Sequence, residues 1–387
     1  MRAKRTDKSR LGEWWGTLDQ PLLTGLLLLM LIGLLVSLAA GPTVAVKKGL
    51  EPYYFVQRHA MFAIAGAAVM GLVSFLGPAG VRRLALVVFV AGLALMMLAA
   101  FYGPEINGSR RWVRFAGYSL QPSEFVKPSF VVLVAWLLAE KQKRPEFPLL
   151  AVSVLLYVVT AGLLISQPDF GQTLLLTLIW GTLFFVAGMP LTWLGAMAGA
   201  ALALTVAAFN IFSHVHKRLM AFWNPAAGDT YQMDRARDSF IEGGWFGRGP
   251  GEGTIKSSLP DAHTDFVFSV IAEEYGTIAC MVLLSLIGFV VARALLDIWH
   301  DRNGFARNAS AGLIALFAYQ ALINTGVNVG LLPAKGMTLP FISYGGSSLL
   351  GMALAMGMLL ALTRRQRPFG RKKTTFLGSE EHFGSTR

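Results

Sequence analysis

Long apolar segments recur along this chain and restrict what it can fold into. Ten of them approach or exceed the length of about 20 residues that a helix needs to cross a bilayer. They occupy residues 22–40, 60–76, 84–101, 125–139, 149–166, 171–188, 191–212, 266–296, 309–330 and 343–363. Inside lipid, backbone polar groups must pair with one another, so segments of this length are expected to be helical. The sequence predicts an all-α membrane protein, a polytopic bundle of about ten transmembrane helices.

The composition supports a membrane protein. Hydrophobic residues make up 54% of the chain and charged residues 14%, whereas soluble domains carry about 25% charged residues. The formal charge of +12 does not indicate nucleic-acid binding, because the basic residues lie in short clusters beside the apolar segments. Such clusters mark the cytoplasmic side. We therefore expect a cytoplasmic basic N-terminus (residues 1–21), a ten-helix domain (22–363) and a flexible basic cytoplasmic tail (364–387).

A long polar loop, residues 213–265, separates the seventh and eighth spans. The alternation of ten helices places it on the periplasmic side. Loops of more than about 15 residues are usually functional or disordered, and this one is not of low complexity. No internal repeat is visible, so an inverted-repeat transporter has no support in the sequence.

Asp265 stands where this loop enters the eighth span. One interpretation is a helix N-cap, a position that Asp favours. The other is a general base at the outer surface, since a carboxylate beside a membrane helix is costly without a partner or a function. Glu273 and Glu274 follow on the same predicted helix, about 12 Å deeper at 1.5 Å per residue and on other faces. They cannot flank one bond with Asp265 as a glycosidase pair does, and we expect them to pair with cations or backbone.

Polar residues on the same side of the predicted bundle are further candidates for the site. The set comprises Arg110, Arg111, Glu124, Lys127, Lys217, Arg218, His263, Lys335, Ser343 and Ser347. Solvent or lipid headgroups could instead account for Arg110, Arg111 and Lys335. Glu124 and Lys127 have the spacing of an ion pair one helical turn apart, and His263 could orient Asp265.

Two further groups have competing interpretations. Gln320, Asn324 and Asn328 form one polar stripe on the ninth span, which suits either hydrogen bonding between helices or the lining of a cavity. The tenth span begins with small residues, Gly345, Gly346, Ser347 and Ser348. Small residues favour close helix packing, and phosphate binding is the less favoured alternative.

Metal binding has little support. Cys280 is the one cysteine, so clustered cysteine and histidine ligands for zinc are absent and an intrachain disulfide is impossible. A divalent cation would suit a phosphate-containing substrate, but no complete ligand set is visible.

Three motifs carry a resemblance to a known family. They are GGWFGRGPGEG, HTDFVFSVIAEE and LLPAKGMTLPFISYGGSS, and together they resemble the SEDS family of bacterial cell-wall polymerases, with FtsW (division) and RodA (elongation) as branches. The likeness runs from residue 22 to residue 363. The segment KGMTLP is similar to the FtsW pattern, in which Leu is common where Met337 stands.

The resemblance implies a peptidoglycan glycosyltransferase that polymerises lipid II and releases undecaprenyl pyrophosphate at the division septum of the inner membrane. It implies that Asp265 is the residue associated with polymerisation, and we assign it as the general base. Arg111, Lys127, Arg218 and Lys335 are the candidates to hold the pyrophosphate. The implied partners are a class B penicillin-binding protein and other division proteins. A lipid II flippase, a RodA-type elongation polymerase and a non-enzymatic scaffold remain alternatives.

Overall fold

The structure is a computed structural model. It describes residues 10–106, 108–115, 117–190, 192–193, 195, 199, 203, 206, 209–210, 216, 220, 230–299, 303–333 and 336–364. The candidate residues Lys217, Arg218 and Lys335 lie outside these ranges, as does most of the predicted seventh span.

The predicted all-α membrane architecture is confirmed. The helices that coincide with predicted spans are α2 (Gln20–Lys47), α3 (Tyr54–Ser74), α4 (Pro78–Tyr102), α5 (Ser123–Lys141), α6 (Leu149–Ser166), α7 (Phe170–Val186), α10 (Val267–Trp299), α11 (Gly304–Asn328) and α12 (Gly346–Leu362). Three shorter helices are α1 (Arg10–Thr17), α8 (Tyr231–Gly243) and α9 (Ile255–Ser258). Within the described ranges, six helices are long and apolar enough to cross a membrane, and α7 and α12 are shorter apolar helices.

One end of the bundle, the basic end, gathers the helix termini that lie next to basic loops. Arg364 donates from Nε to the hydroxyl of Thr17 at 3.1 Å, so the two ends of the described chain meet there. Arg293 pairs with Asp19, the N-cap of α2. A chain that begins and ends at the same end of a bundle crosses it an even number of times, as the sequence predicts for ten helices. The opposite end, the loop end, carries Asp265.

Small residues bring α12 close to its neighbours. A Cβ at Gly351 would lie 2.5 Å from the carbonyl oxygen of Glu124 on α5, and one at Gly346 would lie 2.5 Å from the ring of Phe62 on α3. Larger side chains at these positions would force the helices apart. The predicted close packing of the glycine-rich start of this span is therefore seen.

The eighth span differs from the single helix that the sequence predicts. Gly276 interrupts α10 with φ 79° and ψ 173°, a conformation that only glycine adopts readily. The Sγ of Cys280 lies 3.8 Å from the carbonyl oxygen of Phe268, whereas twelve residues of straight helix would separate them by about 18 Å. The short first part, residues 267–275, therefore folds back against the long second part.

The second loop at the loop end contains a small β-hairpin that the sequence did not predict. Strands β1 (Val113–Phe115) and β2 (Tyr118–Leu120) pair antiparallel. Gln121, directly after β2, donates its N–H to the hydroxyl of Ser347 at 3.0 Å, which attaches the hairpin to the start of α12.

Candidate active site

Asp265 lies at the loop end, half-buried, in a tight turn that precedes α10. The N–H groups of Thr264, Asp265 and Phe266 all donate to the carbonyl of Asp261, at 3.0, 3.1 and 3.3 Å. Asp261 has a φ of 52°, a left-handed conformation that Asp tolerates better than most residues. The turn presents Asp265 to the loop end.

The backbone at the helix start shows which residue is the N-cap. The carbonyl of Phe266 accepts from the N–H groups of Ser269 and Val270, at 3.1 and 3.3 Å. The N-cap residue is the one whose carbonyl accepts the first bond of the helix. Phe266 therefore holds that position, and Asp265 precedes it.

The polar stripe of α11 holds the backbone around Asp265. The carboxamide nitrogens of Asn324 and Asn328 donate to the carbonyl of Asp265 at 2.8 and 2.9 Å. Gln320 donates to the carbonyl and hydroxyl of Thr338, both at 3.2 Å. The nitrogens of these three carboxamides therefore donate to loop segments at the loop end, and the oxygens of Gln320 and Asn328 accept from Lys127 on α5 and Ser269 on α10.

The segment between α11 and α12 forms the other wall of the site. A Cβ at Gly336 would lie 3.3 Å from Oδ2 of Asp265, so this segment passes directly beside the carboxylate. Phe341 adopts a φ of 63°, and its carbonyl lies where a Cβ at Gly33 on α2 would clash. The segment thus penetrates the bundle and is held firmly.

The two candidate serines hold this segment in place. Ser343 accepts a hydrogen bond from the N–H of Leu339 at 2.8 Å. Ser347, besides accepting from Gln121, donates to the carbonyl of Ser119 at 3.3 Å. Both hydroxyls serve the local fold.

His263 is buried in an aromatic cluster near Asp265. Its ring lies 4.6 Å from that of Phe55 and is stacked on Tyr344 at 5.5 Å, measured between centroids. Burial, with a smaller contribution from the charge of Lys48, lowers the pKa of His263 to about 4. His263 is therefore neutral near pH 7, and its ring packs against Phe55 and Tyr344 without adding a charge to the site.

The arginines of the second loop have acidic partners. Arg111 pairs with Asp169 at 3.3 Å and donates to the carbonyls of Gln167 and Pro168, both at 3.1 Å. It therefore fastens this loop to the turn between α6 and α7. Arg110 is more exposed and pairs with Glu105 at 3.5 Å.

Lys127 and Glu124 form a buried ion pair at 2.9 Å, one turn apart on α5. The Lys127 side chain is 2% exposed, and its ammonium also donates to the side chain of Gln172 at 2.7 Å and of Gln320 at 3.5 Å. The i,i+3 spacing therefore corresponds to an ion pair in the fold. Gln320 in turn donates to Thr338, so the ion pair is connected to the segment between α11 and α12.

Glu273 and Glu274 secure the long loop, in agreement with the expected pairing to cations or backbone. Glu273 accepts from the N–H groups of Ile255 and Lys256 at 2.6 and 2.9 Å, at the start of α9. Glu274 pairs with the ammonium of Lys256, which also donates to the carbonyl of Ala39 on α2 at 3.2 Å. Lys256 was not among the predicted residues, because nothing in the sequence shows that its side chain is buried.

Arg58 is a second residue that sequence reasoning missed. Its guanidinium lies 4.7 Å from the ring centroid of Tyr54 and 5.0 Å from that of Tyr118. Unlike Arg110, Arg111 and Lys127, Arg58 forms no ion pair with a carboxylate in the described part of the chain. Most of the cations predicted from the sequence lie in loops, whereas Arg58 lies in the first turns of α3.

The described residues offer no metal centre. No group of three or more His, Cys, Asp or Glu side chains among them is placed to hold a metal ion.

Comparison with known proteins gives the family. The family model described as "Cell cycle protein", for FtsW, RodA and SpoVE, matches residues 20–368. A relative from Caulobacter vibrioides (strain NA1000 / CB15N), named "Probable peptidoglycan glycosyltransferase FtsW", is 45% identical over 363 residues, which cover 94% of this chain and 93% of the relative. A relative of the same name from Pseudomonas fluorescens (strain SBW25) is 35% identical, with coverage of 94% and 90%.

Solved structures agree with this assignment. One chain, from work on "structural coordination of polymerization and crosslinking by a peptidoglycan synthase complex", superposes with a TM-score of 0.75 at 27% identity, covering 90% of this chain and 98% of that one. The rod shape determining protein RodA of Thermus thermophilus superposes with a TM-score of 0.67 at 25% identity, with coverage of 91% and 99%. The resemblance to cell-wall polymerases is confirmed, and this chain belongs to the FtsW, RodA and SpoVE family of cell cycle proteins.

Proposed function

We propose that this protein is a peptidoglycan glycosyltransferase that polymerises lipid II into glycan strands, with Asp265 as general base. The observation that carries the proposal is the half-buried carboxylate of Asp265, held by its backbone at the loop end beside Gly336. The relatives that match nearly the whole chain bear the name of this activity.

One carboxylate is sufficient for this reaction. Asp265 takes the proton of the acceptor sugar hydroxyl while that oxygen forms a bond to the anomeric carbon of the donor sugar. The bond from that carbon to the pyrophosphate oxygen breaks, and its electron pair leaves with undecaprenyl pyrophosphate. This anion is stable without protonation, so no acid is required. A positioned base contributes about 10²- to 10⁴-fold in rate.

Cations at the loop end stabilise the departing pyrophosphate. We propose Arg58 for this role, because it is partly exposed and has no acidic partner in the described part of the chain. Lys335 and Arg218 remain proposals made from the sequence. Arg111 and Lys127 also remain proposals from the sequence for holding the pyrophosphate, and in the structure both form ion pairs, with Asp169 and Glu124.

The protein is a multi-pass membrane protein, and its finer placement is part of the proposal. The basic clusters favour cytoplasmic termini and a periplasmic loop end. We propose that it acts in the inner membrane at the division septum, with a class B penicillin-binding protein that crosslinks the new strand and with other division proteins. The names of the relatives and the KGMTLP segment support the division branch.

The test is glycan synthesis from lipid II by the purified protein, resolved on a gel, with and without the penicillin-binding partner. Asp265→Asn should abolish strand formation and leave lipid II binding intact. Asp261→Asn is the matched control, because Asp261 is exposed four residues earlier and Asn also tolerates its left-handed backbone.

Three outcomes would contradict the proposal. Transport of lipid II by wild-type protein and Asp265→Asn alike, without strand formation, would indicate a flippase. Unchanged division in cells that carry Asp265→Asn would indicate a scaffold. Strand formation by Asp265→Asn at the wild-type rate would show that Asp265 is not the general base.

A further inference from the structure

The backbone carbonyl of Asp265 is held from outside its own helix. In a regular helix this carbonyl would accept from the N–H of Ser269, four residues later. Ser269 instead donates that N–H to the carbonyl of Phe266 at 3.1 Å and to the carboxamide oxygen of Asn328 at 3.0 Å. Asn324 and Asn328 both donate to the Asp265 carbonyl.

The orientation of the Asn328 carboxamide is fixed by its neighbours. Its oxygen accepts both the N–H and the hydroxyl of Ser269, the latter at 2.8 Å. Because both of these groups are donors, the oxygen must face Ser269 and the nitrogen must face Asp265. A flipped carboxamide would place two donors against Ser269 and an oxygen against the Asp265 carbonyl.

Asn324 connects the two segments that form the site. Its nitrogen donates to the carbonyl of Asp265 at 2.8 Å and to the carbonyl of Met337 at 2.6 Å. Met337 follows Gly336, which lies against the Asp265 carboxylate. The Asn324 side chain therefore fixes the distance between the backbone of Asp265 and the segment of Gly336 and Met337 that lies beside the carboxylate.

Both asparagines are about 1% exposed and lie behind the site. A residue buried in this way acts on the reaction through the position of Asp265. Stripes of polar residues on membrane helices often serve only to join helices, with about 0.6 kcal/mol for each hydrogen bond. Here the two carboxamides converge on a single carbonyl, that of the residue proposed as base.

We propose that Asn324 and Asn328 are positioning residues that set the location of the Asp265 carboxylate for proton transfer, an inference that rests on the function proposed for Asp265. Loss of either carboxamide removes one of the two hydrogen bonds that these side chains donate to the Asp265 carbonyl, so the turn is held less firmly. A displacement of about 1 Å can cost about 100-fold in rate. The loss should fall on kcat, because neither side chain lies where substrate binds.

The experiment measures kcat, KM and lipid II binding for Asn324→Ala and Asn328→Ala with purified lipid II. We expect kcat to fall about 10- to 100-fold, with KM and lipid II binding within about twofold of wild type. Asn308→Ala is the matched control: Asn308 is an equally buried asparagine on α11, and its carboxamide has no hydrogen-bond partner in the described part of the chain. Its kcat should stay within about twofold of wild type.

Asn324→Asp and Asn328→Asp provide the test if an alanine variant fails to fold. Each keeps the shape of the side chain but replaces the donor by an acceptor, so kcat should fall as for alanine. The inference is overturned if these variants keep wild-type kcat, or if the loss appears equally in KM, lipid II binding and the melting temperature. If Asp265→Asn itself polymerises lipid II normally, the proposed function fails; if Asp265→Asn is inactive and the asparagine variants are normal, only the positioning role fails.

Discussion

The carboxylate of Asp265 lies directly beside Gly336: a Cβ at position 336 would be 3.3 Å from Oδ2. This separation is tight for a Cβ contact, so a larger side chain would displace the carboxylate or cover it. Gly336 is exposed and does not have a left-handed φ, so its backbone accepts other residues. The absence of a side chain there leaves room for a substrate hydroxyl.

Gly336→Val should therefore reduce polymerisation more than it reduces stability. We expect a loss of about 10- to 100-fold in kcat/KM, because the base would be moved or shielded. The melting temperature of the purified protein should change little, since the position is exposed. Gly77→Val at the basic end, where a Cβ would meet nothing within 4 Å, is the control. A fully active Gly336→Val variant would show that the carboxylate does not work from this position.

Lys256→Met should destabilise the protein strongly, because Glu274 would be left buried without its partner. Removal of one member of a buried ion pair costs about 3–5 kcal/mol, and both side chains are at most 5% exposed. Thermal unfolding in detergent measures the loss. Lys143→Met, which breaks an exposed pair with Glu140, should change stability by about 1 kcal/mol or less.

The double variant Lys256→Met, Glu274→Gln should recover part of the loss, because no charge then remains buried. Recovery cannot be complete, since the carbonyls of Ala39 and Gly251 lose their donor. A Lys256→Met variant as stable as wild type would contradict the role of this pair in holding the loop.

His263 should make the folded protein less stable as the pH falls from 6.5 to 4. Burial lowers the pKa of His263 to about 4, so between these values the unfolded chain takes up a proton that the folded protein does not. The effect is absent above pH 6.5, where both states are neutral, and reaches about 3 kcal/mol at pH 4.

His263→Phe keeps an aromatic ring against Phe55 and Tyr344 and should flatten this part of the stability profile. Melting temperatures between pH 4 and 7.5 measure the slope. An unaltered slope in His263→Phe would mean that His263 becomes protonated in the folded state.

Arg58→Ala should lower the rate at which lipid II is polymerised, because the cation proposed to stabilise the pyrophosphate would be lost. We expect kcat/KM to fall about 10- to 100-fold, since charge-assisted hydrogen bonds contribute about 1.5–3 kcal/mol. Arg58→Lys should retain part of the activity. Arg114→Ala, at an exposed arginine of the β-hairpin, serves as control, and normal kinetics in Arg58→Ala would exclude Arg58 from the binding surface.

The sequence was sufficient for the parts of the fold that follow from apolar length. The spans represented by α2 to α7 and α10 to α12 follow from the need to pair backbone groups in lipid, and the pairing of Lys127 with Glu124 follows from their spacing. The break at Gly276 could not be predicted, because glycine also occurs in straight membrane helices. Glycine is required at position 276 because the carbonyl oxygen of Trp245 packs where a Cβ of residue 276 would lie, and this contact is not visible in the sequence.

The position of Asp265 at the loop end was predictable from the sequence, because Asp265 stands at the boundary of a span. The contacts that hold its backbone were not predictable, and its role as base stays a prediction. The contacts of Lys256 with Ala39, and of Asn324 with Met337, join segments that are distant in sequence or separated by a loop. Spacing along one helix shows that Asn324 and Asn328 share a face, but it does not show what lies opposite that face.

The most direct test of Asp265 as general base is the release of undecaprenyl pyrophosphate by purified Asp265→Asn at saturating lipid II, with lipid II binding measured in parallel. We expect release to fall by about 10²- to 10⁴-fold and the dissociation constant for lipid II to stay within about threefold of wild type, because Asn keeps the shape and loses the base. Release at the wild-type rate by correctly folded Asp265→Asn would contradict the central claim.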